Sequence, residues 1–192
     1  MVKFFLLTSA LAAGLFSNPV FSDSDGANRS YLANFEQESA SQDARQIADW
    51  VLDSSDNQNM PFLIIDKKSA KVFVFDLAGQ IMGASAVLLG VAVGDDSSKG
   101  VGQRKLISIP VAERTTPAGR FVGSLSNNLS GKGVLWIDYD AAISLHRVIT
   151  SNVKQQRAQR LESSTISDNR ISFGCINVPA RFYDQLIVKT FQ

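Results

Sequence analysis

The sequence predicts a single mainly β domain with a few helices, including one near the N-terminus and one at the C-terminus. Three observations favour this fold class. Runs rich in Val, Ile, Leu and Phe recur at strand length between residues 62 and 146, and polar or glycine-containing turns separate them. Helical periodicity is confined to segments before and after these runs. The 192 residues, of which 45% are hydrophobic, suit one packed core.

The first residues have the pattern of an export signal, which we assign to residues 1–22. Lys3 supplies the positive charge, residues 4–16 form a short apolar stretch, and Ser22 ends a segment typical of a cleavage site. The apolar stretch is too short to span a bilayer permanently. We therefore expect cleavage after Ser22 and a protein of the periplasm or cell envelope, without membrane association after cleavage.

A polar segment and a helix precede the predicted sheet. Residues 23–38 are rich in Ser, Asp, Asn and Glu and lack periodicity, which indicates a flexible lead-in. Ser39 fits the first position of a capping box, and apolar residues then repeat on one helical face to about Ser54. The lead-in and helix make up residues 23–58, and the main domain is assigned to residues 59–192.

Strand and turn signals follow one another through the main domain. The predicted strands are 62–66, 71–76, 81–93, 107–112, 121–124, 134–139 and 142–146. Short turns join the first three as antiparallel hairpins, and the polar residues 95–105 indicate a surface loop. Beyond the strands, Asn152 fits the cap of a helix that ends near Glu162, and Pro179 suits the start of a C-terminal helix.

Composition and charge exclude several classes of function. The chain carries 19 basic and 18 acidic residues, so no charged surface for nucleic acid or an anionic membrane is expected. A single Cys and a single His cannot form an internal disulfide or a structural zinc site, and no nucleotide-binding glycine pattern occurs. We predict no metal, no cofactor and no nucleic-acid partner, and the oligomeric state stays open.

Cys175 and His146 are the residues most suited to chemistry. Cys175 follows a strand-like stretch and precedes a predicted helix, where backbone N–H groups lower a thiol pKa. Gly174 permits close backbone approach, so the amides of Gly174 and Cys175 suit an oxyanion hole. His146 is the only imidazole that can take the thiol proton at neutral pH. A small buried hydrophobe and a structural histidine are the alternatives.

Four segments, in this order, resemble the L,D-transpeptidase catalytic domain (YkuD domain) of bacterial cell-wall enzymes. They are the strand pair of residues 62–75, Thr-Pro-Ala-Gly-Arg-Phe at 116–121, Leu-His at 145–146, and Ser-Phe-Gly-Cys-Ile-Asn at 172–177. The resemblance covers roughly residues 60 to 190.

This resemblance implies a β-sandwich that acts as a cysteine transpeptidase in cell-wall biogenesis and cell shape. Cys175 would attack the third residue of a peptidoglycan tetrapeptide stem and expel the terminal D-Ala. His146 would act as the base, and the backbone carbonyl of Arg147 would orient its ring. The thioester would then pass to a second stem, giving a crosslink between third-position residues. Acylation of Cys175 by carbapenems is a further implication.

The chain departs from the family pattern in two places. Phe173 stands where the family usually has a second His, and we expect this to tune rather than abolish reactivity. The interval between His146 and Cys175 is longer than usual, so we expect an inserted segment in the cleft wall. Lys154, Arg157 and Arg160 repeat there at helical spacing, and a solvated face is favoured over contact with an anionic stem peptide.

Four residues are weaker candidates for substrate binding. Arg170 suits either a substrate carboxylate or a structural salt bridge. For Ser172, a hydrogen bond within the turn is favoured over contact with the acyl intermediate. Phe173 is a candidate by position, and Asn177 is interpreted as a helix N-cap. Trp136 and Tyr139, in the predicted strand 134–139, are assigned to the sheet core and its edge.

Other functions remain open. Phe173 and the long insertion motivate a non-catalytic peptidoglycan-binding module. The same acyl-enzyme would also serve an L,D-carboxypeptidase, or an enzyme that attaches a protein to the wall. Peptidoglycan stem peptides are the expected partner in every case.

Overall fold

The computed structural model describes residues 2–6 and 32–192. Its strands, in chain order, are β1 Val2–Leu6, β2 Phe62–Asp66, β3 Lys71–Phe75, β4 Ile81–Ala86, β5 Leu89–Gly90, β6 Gly119–Asn127, β7 Gly133–Asp138, β8 Ile143–Arg147, β9 Arg170–Ser172 and β10 Ile176–Val178. The helices are α1 Gln42–Asp53, α2 Arg157–Glu162, α3 Ala180–Phe182 and α4 Val188–Phe191, and a π-helical turn, Tyr183–Ile187, joins the last two. Single 3-10 turns are Val101–Gln103, Leu106–Ser108, Val111–Glu113, Val153–Gln155 and Ile166–Asn169.

The described strands form one large sheet and one short pair. The large sheet has the order β10-β8-β7-β6-β1-β2-β3-β4, and β5 pairs with β9 in parallel. Neighbouring strands of the large sheet are antiparallel except for the β1–β2 and β10–β8 pairs. This architecture confirms the prediction of a mainly β fold with few helices.

Strand β1 lies within the segment that the sequence assigns to the export signal. It pairs in parallel with β2 and antiparallel with β6, and the backbone of Phe4 is in register with Leu63 on one side and with Phe121 on the other. Removal of residues 1–22 would therefore withdraw a strand from the middle of the sheet. Residues 7–31, which hold the rest of the predicted signal and most of the predicted lead-in, lie outside the described residues.

The described end of the predicted lead-in packs against the domain rather than extending into solvent. Phe35 is buried, and its ring meets the rings of Phe73 and Phe75 edge-on, at centroid distances of 5.2 and 4.9 Å. Helix α1 follows, and its N-cap is Ser41 rather than the predicted Ser39, because the Ser41 hydroxyl accepts a hydrogen bond from the amide of Ala44.

The hairpin of β2 and β3 is covered on both faces, which explains its continuous apolar sequence. One face packs against α1 in the cluster of Phe62, Ile64, Phe73 and Phe75. The opposite face joins a second cluster that also contains residues of β7, β8, β10 and the C-terminal helical segment. Strands at the two ends of the large sheet therefore share one core.

The prediction of a strand at residues 107–112 is wrong. This stretch instead forms the 3-10 turns Leu106–Ser108 and Val111–Glu113. Pro110 lies between them and has no N–H to donate to a strand neighbour, and the side chain of Ile107 is 90% exposed. The predicted strand 81–93 is also interrupted, because it divides into β4 and β5.

The parallel pairing of β8 and β10 brings distant parts of the sequence together. His146 lies opposite Asn177 in this register. Cys175 immediately precedes β10, so the prediction that a helix follows it directly is wrong. Parallel strands require a long crossover connection, and the segment between β8 and β9, which contains α2, provides it.

Candidate active site

A cleft of about 570 Å³ opens beside Cys175. Its walls come from β7, β8 and the residues that follow β8, and they include Trp136, Ser144 and His146. Cys175 is partly exposed. The sulfur therefore lies at the cleft and not in the sealed interior. A nucleophile requires this access to substrate.

His146 is held in one orientation beside the thiol. Its Nδ1 lies 2.7 Å from the backbone oxygen of Arg147, a geometry in which the Nδ1–H donates to the carbonyl. The lone pair of the neutral ring then resides on Nε2. The side chain of Arg147 is itself anchored, because it pairs with Asp184 and its guanidinium carbon lies 4.4 Å from the centre of the Tyr183 ring.

The surroundings of Cys175 favour its thiolate. Burial raises the pKa of the thiol, but hydrogen bonding and charge from His146, together with hydrogen bonds from Ser144, outweigh it and hold the pKa below its ordinary value. The Ser144 hydroxyl lies 3.7 Å from the sulfur, and the backbone oxygen of Ala142 lies 3.6 Å from it. A lowered pKa at a cleft is the property of a reactive cysteine.

The loop before Cys175 requires glycine at position 174. Gly174 has φ +128°, and a Cβ built there would lie 2.8 Å from the backbone oxygen of Thr115 and 2.8 Å from the side chain of Ile143. The turn is closed by Ser172, which donates to the backbone oxygen of Cys175 and accepts from the amide of Gly174. Ser172 therefore bonds within the turn, the interpretation favoured from the sequence.

This turn changes the predicted oxyanion hole. The Gly174 N–H donates to the Ser172 hydroxyl at 3.0 Å, so it is not free to bind a substrate oxygen. The Cys175 N–H, in contrast, has no hydrogen-bond acceptor within the described part of the chain. Of the two predicted amides, that of Cys175 alone remains suited to stabilise a developing oxyanion.

Thr116 anchors the loop of residues 172–175, which precedes and includes Cys175. Sequence reasoning missed this role. The fully buried Thr116 hydroxyl donates to the backbone oxygen of Gly174 at 2.7 Å and accepts from the amide of Gly90 at 2.8 Å. The loop is thus tied to β5. The Thr-Pro segment is visible in the sequence, but its partners are remote in the chain.

Asn177 contacts the base and is not a helix N-cap. It lies fully buried within β10, and the following helix is preceded by Pro179. Its Nδ2 lies 3.4 Å from Nε2 of His146, and its Oδ1 accepts from Nη1 of Arg157 at 2.7 Å. Arg157, assigned from the sequence to a solvated face, therefore reaches the site.

Arg170 and Phe173 do not line the cleft. The Arg170 guanidinium faces the backbone oxygens of Lys67, Gly90 and Ala92 at 3.3 to 3.4 Å, and burial lowers the pKa of this group. Among the described residues Arg170 forms no salt bridge, which is one of its two predicted roles.

The Phe173 ring packs against a cation. The guanidinium carbon of Arg114 lies 4.1 Å from the ring centre. This contact lies outside the residues that line the cleft.

Trp136 is a cleft residue, although the sequence assigned it to the sheet core. Its ring stacks on that of Tyr139 at 4.6 Å, and its indole N–H is buried without a hydrogen-bond partner among the described residues. An aromatic residue at this position of β7 is compatible with the sheet core and with the cleft. The sequence pattern around Trp136 therefore could not predict that it lines the cleft.

The described residues contain no cluster of three or more metal-ligating side chains. None of their helices combines the length and apolar character needed to cross a membrane. Comparisons of the chain with family models, with curated proteins and with solved structures gave no match.

Proposed function

We propose that this protein is an exported L,D-transpeptidase of the bacterial cell envelope, with Cys175 as nucleophile and His146 as base. The observation that carries the proposal is the cysteine at the cleft, whose thiol pKa is lowered by the neighbouring His146. Many enzymes use a cysteine nucleophile. The order of the four motif segments, which resembles the L,D-transpeptidase domain, is the reason for proposing transpeptidation.

The proposed domain is a β-sandwich. Its support is the shared core: side chains of β2 and β3 pack in the same cluster as side chains of β7, β8 and β10. Two parts of one sheet that bury their faces against each other suit such a layered arrangement.

The first half of the reaction forms a thioester. His146 Nε2 takes the thiol proton, and the sulfur attacks the carbonyl carbon of the third stem residue. The Cys175 N–H faces the negative charge that develops on the carbonyl oxygen. Collapse of this intermediate breaks the peptide bond, and the departing D-Ala amine takes the proton from His146.

The second half transfers the acyl group. The side-chain amine of another stem attacks the thioester carbon, His146 accepts the amine proton, and the sulfur leaves as thiolate. The imidazolium then returns the proton, so the enzyme ends in its initial state. A stem peptide carries carboxylates, and the exposed Lys132 at the cleft offers them a cation.

The placement of Phe173 bears on the alternative of a non-catalytic binding module. That alternative rests partly on the loss of a polar group beside the nucleophile, yet Phe173 packs on Arg114 outside the cleft. The residues that act on the thiol are His146 and Ser144. This arrangement supports the enzyme.

Product analysis tests the proposal. Purified protein is incubated with a disaccharide-tetrapeptide, and the muropeptides are identified by mass spectrometry. We expect loss of D-Ala from one stem and a new bond between third-position residues, and no such product from the Cys175→Ala variant. Release of D-Ala without a crosslink would assign the L,D-carboxypeptidase activity instead, and an unchanged substrate would reject both.

A further inference from the structure

Arg157 links the inserted segment to the base. It is the first residue of α2, in the connection between β8 and β9. Its Nε donates to the side-chain oxygen of Gln155 at 2.7 Å, and its Nη1 donates to Oδ1 of Asn177 at 2.7 Å. The guanidinium is therefore aimed at a buried residue of β10 and not at solvent.

The charge of Arg157 is not neutralised by a carboxylate. Among the ion pairs of the described residues, none involves Arg157. Burial lowers the pKa of its guanidinium, and the charge of Cys175 acts in the opposite direction. Burying a cation is costly unless acceptors compensate, and here the side-chain oxygens of Gln155 and Asn177 do so.

The contact with Arg157 decides how the Asn177 amide is oriented. A guanidinium only donates, so the amide end that meets it must be the oxygen. The NH2 end then faces Nε2 of His146 and the backbone oxygen of Cys175, each at 3.4 Å. An N–H directed at Nε2 requires a lone pair on that nitrogen.

Two independent contacts thus select the same imidazole tautomer. On one side the carbonyl of Arg147 requires a proton on Nδ1. On the other side the Asn177 amide requires a lone pair on Nε2. A neutral ring that satisfies both carries its basic lone pair on Nε2.

We infer that Arg157 is a positioning residue for the proposed acyl transfer: through Asn177 it holds His146 in the tautomer whose Nε2 accepts the Cys175 proton. This inference rests on the proposed function, because it assigns a role within that reaction. It also gives the inserted segment a part in the active centre.

Four variants test whether Arg157 positions His146 or only stabilises the fold. Arg157→Met keeps the length of the stem and removes every donor. Arg157→Lys keeps a charge and a donor. Asn177→Asp keeps an acceptor for Arg157 but loses the N–H that faces His146. Lys154→Met is the matched control, because this exposed residue of the same insertion has no recorded side-chain contact.

The readouts are the rate of Cys175 acylation by meropenem, the rate of alkylation by iodoacetamide at neutral pH, and the thermal midpoint. We expect Arg157→Met to slow both reactions about tenfold, the effect of losing one hydrogen bond from a charged group. Asn177→Asp should slow them similarly without lowering the midpoint, Arg157→Lys should recover most of the rate, and Lys154→Met should match the wild type.

Wild-type rates in Arg157→Met or in Asn177→Asp would overturn the inference. If Arg157→Met does not fold, Asn177→Asp and Arg157→Lys still decide. Failure of the proposed function has a different signature, since the wild-type protein would then form no meropenem adduct. Alkylation by iodoacetamide would still report whether Arg157 acts on the thiol in that case.

Discussion

The thiol of Cys175 is subject to two opposing influences. Removal from water disfavours the thiolate, whereas hydrogen bonds and the charge of His146 favour it. The second influence prevails, so the thiolate of Cys175 depends on two neighbours, His146 and Ser144. His146 is in turn oriented by a hydrogen bond to the Arg147 carbonyl. The reactivity of the Cys175 sulfur therefore depends on both contacts.

Alkylation of Cys175 should therefore extend to lower pH than alkylation of a free thiol. A lowered pKa means a larger thiolate fraction at any pH below the ordinary value of about 8.5. In His146→Ala only burial and the Ser144 contacts remain, so the pH–rate curve for iodoacetamide should move to higher pH.

Mass spectrometry of the alkylated protein at a series of pH values measures these curves. Ser144→Ala should move the curve in the same direction by a smaller amount. Superimposed curves for the wild type and His146→Ala would show that His146 does not act on the thiol.

Thr116→Val should destabilise the domain. The substitution keeps the shape but leaves the Gly90 amide and the Gly174 carbonyl buried without their partner. We expect a loss of about 2–4 kcal/mol in the free energy of unfolding, the cost of two unsatisfied buried groups. Denaturation by urea measures it, and Thr115→Val, whose hydroxyl makes no hydrogen bond to the described residues, is the control.

Equal stability of Thr116→Val and Thr115→Val would contradict the role given to the Thr116 hydroxyl.

Single residues differed in how far their roles could be predicted from the sequence. Cys175 and His146 stand out because each is the only one of its type. The roles of Asn177, Thr116 and Arg157 depend on hydrogen bonds to residues that are distant in the chain. Local patterns carry no information about such partners, so Asn177 was interpreted as an N-cap and Arg157 as solvated.

At the scale of elements, apolar runs predicted strands well where both faces are buried. The hairpin of β2 and β3 is an example, since α1 covers one face and the second core covers the other. Residues 107–112 have a similar composition but surround Pro110, and they pair with none of the described strands. The parallel pairing of β8 with β10 could not be predicted, because it is set by tertiary packing.

Strand β1 makes a prediction at this scale. A chain that begins at Asp23, as expected after signal cleavage, lacks the partner of β2 and β6. Backbone amides of these two strands should exchange hydrogen at least about tenfold faster in that chain than in the full-length protein. Hydrogen-exchange mass spectrometry measures this, and the amides of β8 and β10, which pair with neither β1, β2 nor β6, are the internal control.

Identical protection of β2 and β6 in the two chains would mean that β1 does not contribute to the sheet in solution.

Across the whole molecule, a nearly neutral chain carries the cleft that contains Cys175. Its 19 basic and 18 acidic residues leave no strong field, so we expect recognition to depend on local contacts in the cleft. The shared core joins the strand that carries His146 to the hairpin covered by α1. The large sheet thus supports the loop before Cys175, the base His146 and the inserted segment that contains Arg157.

The most direct test of the central claim is intact-protein mass spectrometry after incubation with a carbapenem, followed by peptide mapping. We predict a stoichiometric adduct on Cys175, which His146→Ala forms far more slowly. A protein that keeps its original mass, or an adduct that maps to another residue, would contradict the assignment of Cys175 as the nucleophile.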